Sequence, residues 1–502
     1  MTAQTAAKHI PAPQTPPLPQ AKPESLGLSS VRLQRMSDAF KRDIDKGTIP
    51  GVTVMVARRG QIGWFDALGR QNPAGSAPMA HNAIFRIASM TKPIVSVGIM
   101  MLAEQGHFLL NDPVAKYIPE FSDQKVGVEN NGKLDLVPLT RPITIQDLLR
   151  HTSGITYDHT GNGLVQQLYQ QSRLRSRKIT NAEHATLLAG MPLLCQPGTE
   201  WNYSRSTDLL GRLIEVVSGK TLGAFLTERI LAPLQMADTA FHTGAENADR
   251  LAEAFPTDPW TGEKVELFNM LQKPVMESGG GGLVSTTMDY ARFCQMLLNG
   301  GVLDGSRIIG RKTLQLMASD HLGPEVKLNG HLVALPGHSF GLGFAVRTHE
   351  GMAPFAGSVG QYFWSGIGGT FFWIDPREEL FAVFMSQGPG QREYLRTLLR
   401  SLGVRGAGVR RSGARAAHLV VMPRESEGIQ YAAALVKIET PAFTDRPLSL
   451  SRTMTMCDAC LAISTDRRTA IDHDGLSRHE CAGRGRQKHR GAGDLVGLAD
   501  AQ

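Results

Sequence analysis

Along the first half of the chain the apolar positions change period, and each change marks an element. From Ser30 to Lys46 the residues Val31, Leu33, Met36, Phe40 and Ile44 recur at helical spacing and Gly47 ends the run, so a helix with one buried stripe is predicted. The next stretch, GVTVMVARRGQIGWFDALGR, holds two apolar-rich runs around Arg59-Gly60 and predicts a β-hairpin with Gly60 in its turn. Helical periodicity then dominates over residues 89–106, 143–151, 204–218, 221–230 and 286–299, with Gly or Pro between several of the segments. Strand-like runs return late, at HSFGLGFAVRT, SVGQYFWSGIGG and TFFWIDPREELFAVFMSQ, the last folded at Asp375-Pro376, and REYLRTLLRSL closes with a helix. Strands at both ends with helices between them predict an α+β fold, in which distant segments assemble one antiparallel sheet flanked by helices.

The two ends lack such patterns. Six prolines in the first 28 residues, with no periodic apolar positions, predict a disordered or extended lead-in at 1–28 ahead of a functional domain at 29–402. Residues 403–502 hold 13 Arg against 2 Lys, one Phe and no Trp, without a sustained period. That texture fits a disordered extension or an out-of-frame reading after a frameshift in a GC-rich gene. Cys457 and Cys460, with His473, His479 and Cys481 downstream, have the first half of a zinc spacing, but no second pair follows, and the cluster is read as accidental.

With 502 residues, 42% of them apolar and 20% charged, the chain has ordinary globular composition and can bury a core. A net charge of +7 spread over this length reads as a solvated surface, and no nucleic-acid reader motif accompanies it. Five cysteines, Cys195, Cys294, Cys457, Cys460 and Cys481, are too few and odd in number for a disulfide framework and point to a reducing compartment. The N-terminus has no uninterrupted apolar core of an export signal, and no run approaches the roughly 18 apolar residues of a membrane span. A cytoplasmic protein without a membrane partner is the expectation.

Three segments carry candidate chemistry. In Phe85-Arg-Ile-Ala-Ser89-Met-Thr-Lys92-Pro-Ile, an SxxK motif, Ser89 and Lys92 share one face at the start of a helix. A serine hydroxyl needs a base to take its proton, and a lysine serves only if burial or a neighbouring cation depresses its pKa. The helix N-terminus adds partial positive charge and a backbone N–H for an oxyanion. In Gln196-Pro-Gly-Thr-Glu-Trp-Asn-Tyr203-Ser204 a Pro-Gly turn delivers a phenol just ahead of a helix, where it can shuttle a proton. Tyr362-Phe-Trp364-Ser365-Gly366-Ile367-Gly-Gly-Thr370 reads as a strand whose interior glycines mark close approach of backbone or ligand. Each segment alone has a bland reading: a helix N-cap serine, a buried tyrosine, a bulged edge strand.

In this order the segments resemble the serine β-lactamases, penicillin-binding proteins and related esterases, nearest the class C-like branch. The resemblance covers about Ser30 to Leu402 and includes Asp147-Leu-Leu-Arg-His-Thr-Ser-Gly154, Leu210 to Gly219, Gly279-Gly-Gly-Gly-Leu283 and Phe372-Trp-Ile-Asp-Pro376. It implies an antiparallel sheet flanked by helices with an all-helical insertion. Ser89 is then the acylated nucleophile, Lys92 its partner base and Tyr203 the proton shuttle, with the N–H groups of Ser89 and Ile367 as oxyanion hole. Arg205 stands where the family often has the asparagine of Tyr-x-Asn. Trp364-Ser365-Gly366 replaces the Lys-Thr-Gly or His-Thr-Gly of β-lactamases and looks like the tryptophan version of family VIII esterases, so Trp364, Ser365, Gly366 and Arg205 form the expected substrate-binding set. The resemblance implies no metal and no organic cofactor. It implies a carboxylesterase for small esters first, with a β-lactamase or D-alanyl-D-alanine carboxypeptidase, or a non-catalytic scaffold relative, as alternatives. The missing export signal weighs against wall peptides.

Overall fold

The computed structural model describes residues 15–329 and 336–406. Its main sheet has seven strands: β1 (Gly51–Arg58), β2 (Gln61–Gly69), β3 (His338–Phe340), β4 (Ala345–Arg347), β5 (Tyr362–Ser365), β6 (Phe371–Asp375) and β7 (Leu380–Ser386). The order across the sheet is β3-β4-β5-β6-β7-β1-β2, and every neighbouring pair is antiparallel. The first hairpin and the last strand therefore meet, with Thr53 opposite Met385 and Val54 opposite Phe384. The hairpin turns where expected, with Arg59 (φ 54°) and Gly60 (φ 78°) both left-handed, the backbone that matches strand twist.

Ten α-helices occur among the described residues: α1 (Ser30–Asp45), α2 (Thr91–Glu104), α3 (Ile145–Leu149), α4 (Leu164–Gln171), α5 (Asn181–Ala189), α6 (Ser206–Ser218), α7 (Leu222–Leu226), α8 (Thr287–Leu298), α9 (Arg311–Met317) and α10 (Arg392–Gly406). Both faces of the sheet are covered. Phe40 of α1 packs on Phe384, ring centroids 5.0 Å apart. On the other face the hydroxyls of Thr53 and Thr287 in α8 lie 2.5 Å apart. Double coverage explains why β1 and β7 are buried at every residue and read as unbroken apolar runs instead of alternating ones. None of the helices is long and apolar enough to cross a membrane.

Four expectations need correction. Val31 is exposed, because at 100° per residue it stands about 140° round α1 from Met36. HSFGLGFAVRT forms two short strands, β3 and β4: Gly343 is left-handed (φ 97°), and a Cβ on Gly341 would meet the Met317 carbonyl at 2.1 Å. The insertion between α2 and α8 is not wholly helical. It carries a half-exposed hairpin, Lys125–Asn130 with Lys133–Pro138, turned by the left-handed pair Asn131-Gly132. Nor are residues 15–28 a loose lead-in. Ala21 N–H donates to the Ile62 carbonyl (3.0 Å), Ile62 N–H donates to Pro19 (2.7 Å), and Leu18, Leu26 and Leu28 are buried. The segment covers the edge strand β2, a position that suits prolines, which have no N–H to leave unpaired. Residues 1–14, the tail from 407 and its Cys457, Cys460, His473, His479 and Cys481 lie outside the described residues.

Candidate active site

Ser89 sits in a turn, Ala88–Met90, that leads directly into α2. The strand before it, Phe85–Arg86, pairs with Val284–Ser285. Ala88 has φ 44°, a left-handed backbone that costs an alanine about 1–2 kcal/mol and is held from outside. Ile87 N–H donates to Leu283 (3.1 Å), Leu283 N–H to Thr91 Oγ1 (3.1 Å) and Tyr290 OH to the Met90 carbonyl (2.9 Å). The turn leaves Ser89 half-buried, open on one side.

Lys92, one helical turn on, is 1% exposed. Its Nζ donates to Ser89 Oγ (3.4 Å), to Tyr157 OH (3.1 Å) and to the Gly280 carbonyl (2.5 Å). Three acceptors match the three N–H donors of an ammonium and leave no lone pair turned to the serine. Burial opposes that charge, but Tyr157, Tyr203 and the Asp208 carboxylate outweigh it and hold Lys92 above the usual lysine range. This corrects the expectation of a depressed lysine: in the resting site Lys92 is a cation, with its charge 3.4 Å from the hydroxyl.

Tyr203 lies between the short strand Glu200–Asn202 and α6. The supporting stretch from Asp147 to Gly154 runs beneath it: Asn202 N–H donates to the His151 carbonyl (2.9 Å) and His151 Nδ1 is 3.1 Å from Ser204 Oγ. The His151 ring packs 5.0 Å from the Tyr203 ring, and burial together with the Lys92 charge pushes its pKa well down, so it is a neutral wall. Lys92 Nζ lies 4.6 Å from the Tyr203 ring centroid.

The glycines of the third segment are not inside a strand. β5 ends at Ser365, and Gly366 to Thr370 form a tight turn, with Gly366 N–H donating to Thr370 (2.8 Å) and Gly369 N–H to Gly366 (3.1 Å). Gly366 is required by close approach, since a Cβ there would lie 2.2 Å from Thr370 Oγ1 and 2.5 Å from the Ile87 carbonyl. The turn's two bonds leave out the N–H of Ile367, which is 53% exposed beside the Ser89 turn. Trp364 needs a further correction. It is 2% exposed, packed on Tyr203 (5.3 Å) and Phe340 (5.2 Å), and lines with Ser365 a separate hollow beside Arg396 and Arg400. A strand covered on both faces turns this side chain inward, so the indole supports Tyr203 and has no surface left for a substrate.

On the far side of Tyr157, whose hydroxyl accepts from Lys92, opens a cavity of about 440 Å³, lined among others by Tyr157, Ser278, Ile367 and Arg205. Arg205 is no free cation: its Nη2 donates to Asp158 Oδ1 (3.0 Å) and its guanidinium lies 5.2 Å from the Tyr157 centroid. Three participants were missed in the sequence. Tyr157 and Asp158 stand in a loop without period. The Gly280 carbonyl is aimed by Asp208, whose Oδ1 accepts from Gly280 N–H (2.9 Å) and Ser278 Oγ (2.6 Å). The signal was the four-glycine run itself: a Cβ on Gly279 would lie 2.5 Å from the Thr207 carbonyl.

A family profile described as Beta-lactamase matches residues 36–403. Protein Rv1367c of Mycobacterium tuberculosis is 33% identical over 351 residues, 68% of this chain and 87% of that protein. Esterase EstB of Burkholderia gladioli is 28% identical over 375 residues, 70% of this chain and 90% of that protein. The solved structure of EstCE1, a hydrolase with promiscuous acyltransferase activity, superposes with a TM-score of 0.62 at 24% identity, covering 75% of this chain and 98% of that one, a likeness of fold.

Proposed function

The chain belongs to the β-lactamase family, and on that premise we propose that it is a serine hydrolase acting on small carboxylic esters through an acyl-enzyme on Ser89. The observation that carries the reading is the half-buried Ser89 hydroxyl held to a buried ammonium, 3.4 Å away, whose other partner Tyr157 lines a cavity. The similarity to esterase EstB supports the substrate class.

Ser89 Oγ attacks the ester carbonyl carbon, and the N–H groups of Ser89 and Ile367 donate to the oxyanion. Because Lys92 is fully protonated and fully hydrogen-bonded, the serine proton goes to a site that has already lost one. In the competent form Tyr203 is the acceptor, and Lys92, 4.6 Å from its ring centroid, is the charge that stabilises its phenolate. The C–O bond to the alcohol then breaks and the same proton leaves on the alcohol. Water attacks the Ser89 ester, gives its proton to the cluster, and the acid departs with Ser89 restored.

Esters are favoured over β-lactams by the similarity to esterase EstB. The test is a comparison of 4-nitrophenyl butyrate with nitrocefin on the wild type and Ser89→Ala, with labelling by a serine-directed phosphonate. Ester turnover and labelling that vanish in Ser89→Ala are expected. Labelling that persists without Ser89, or nitrocefin hydrolysis as efficient as that of the ester, overturns the reading.

A further inference from the structure

The cavity lined by Tyr157 and Ile367 has an unbalanced charge. Three guanidinium groups line it, Arg175, Arg177 and Arg205, against one carboxylate, Asp158. That carboxylate is occupied: it accepts from Arg205 Nη2 (3.0 Å) and from Arg175 Nε. His159 Nδ1 also lies 3.7 Å from Asp158, and burial, outweighing that carboxylate, lowers its pKa. Two positive charges remain in surplus, and Arg177 is the one without an ion pair among the described residues, the Asp208 carboxylate acting on it only from beyond pairing distance.

Arg177 is also fixed in place. It lies on the segment between α4 and α5, half-buried, and its carbonyl accepts from the N–H groups of Val275 (3.2 Å) and Met276 (3.3 Å). Its guanidinium lies on the Phe268 ring, 4.1 Å from the centroid, and the Phe268 carbonyl is itself held by Arg86 Nε (2.6 Å). An aromatic face behind a guanidinium fixes its plane and removes water from one side, while the N–H edge stays available for two parallel bonds to a carboxylate.

We propose that Arg177 is a specificity-determining residue, selecting esters that carry a carboxylate on the part of the molecule lying in the cavity, as in the monoesters of dicarboxylic acids. The inference rests on Ser89 being the nucleophile of an esterase. A neutral acyl chain leaves the half-buried cation without a directly bonded carboxylate, whereas a terminal carboxylate gains a charge-assisted bidentate pair.

The experiment compares kcat/KM for the mono-4-nitrophenyl ester of adipic acid with that for 4-nitrophenyl hexanoate, which has the same chain length, on wild type, Arg177→Gln and Arg177→Lys. The wild type is expected to prefer the adipate ester by about tenfold or more, the scale of one charge-assisted pair. Arg177→Gln brings the ratio close to one, mainly through KM for the adipate ester, and Arg177→Lys recovers part of it as a point charge. The ratio does not depend on how much protein is folded, and the wild-type preference should also shrink with added salt. Hexanoate turnover that needs Ser89 but comes with no adipate preference, or with a preference that Arg177→Gln leaves intact, overturns the role of Arg177 alone. Absence of Ser89-dependent turnover of both esters overturns the esterase reading with it.

Discussion

Tyr157→Phe isolates the oxygen that holds Lys92 in its charged form. The phenol accepts one of three hydrogen bonds from the ammonium, at 3.1 Å, while its ring packs 5.4 Å from Tyr203 and carries Arg205 over its face. Phenylalanine keeps the ring and both stacking contacts and removes only the acceptor. One N–H of a fully buried cation is then unpaired, at a cost of about 1–3 kcal/mol. At 1.4 kcal/mol per tenfold, Lys92 binds its proton roughly five- to a hundredfold less tightly. Because Lys92 stands above the usual lysine range, its charge stabilises the fold fully below the unfolded-state value and that stability is lost as pH rises through the folded value. Weaker proton binding lowers this contribution at every pH below the unfolded-state value, and the catalytic form short of one proton appears at lower pH. The alkaline ascending limb of kcat/KM, followed by pH-stat titration of methyl butyrate hydrolysis, should therefore move to lower pH in Tyr157→Phe, with Tm already reduced at neutral pH. An unmoved limb refutes the reasoning. A limb that moves upward means that Tyr157 itself gives up the proton.

Three further substitutions test the architecture. Gly366→Ala puts a Cβ 2.5 Å from the Ile87 carbonyl in the Ser89 turn; kcat should fall about a hundredfold, the scale of a lost oxyanion donor, with only about 1–3 kcal/mol lost in urea unfolding. Asp147 is fully buried, and although burial opposes its charge, Arg141 and Thr144 hold its carboxyl down to about 2. The stability this contributes is present above the ordinary aspartate value and is lost as pH falls toward about 2, so Asp147→Asn should flatten the acid limb of unfolding free energy and cost about 3–5 kcal/mol at neutral pH. Trp364→Phe should lower kcat, by up to about a hundredfold through a displaced Tyr203, and leave KM for a neutral ester unchanged; a raised KM with normal kcat would mean that the indole touches substrate after all.

What could be read from the chain and what could not divide by sequence distance. Arg59-Gly60 announces its hairpin because the turn chemistry is local, and Ser89 and Lys92 announce each other because three residues of helix place them together. The charge state of Lys92 was not legible, because it is set by Tyr157, 65 residues away, and by the Gly280 carbonyl, 188 residues away. Trp364 was misplaced for a related reason. Alternation along a strand says which residues share a face, but when both faces are buried it does not say which face meets the site. The proline-rich segment at residues 15–28 reads as loose because its partner is the edge of β2, a surface that exists only after β1, β2 and β7 have assembled.

Arg205 and Asp158 make sense together once Lys92 is taken as a cation. Lys92 Nζ and the Arg205 guanidinium lie 5.6 Å and 5.2 Å from the centroid of the same ring, that of Tyr157. Two cations sharing one phenol would repel and would drive Lys92 toward the neutral form, in which it neither stabilises a Tyr203 phenolate nor attracts an oxyanion. Asp158, the next residue in the chain, takes up the Arg205 charge at 3.0 Å, while Tyr157 gives its oxygen to Lys92 at 3.1 Å. One dipeptide thus separates the two positive groups, leaving the lysine charge for the serine. The Asp158 carboxylate is then no longer available to Arg177, and that is why an anion brought by the substrate has a partner waiting in the cavity.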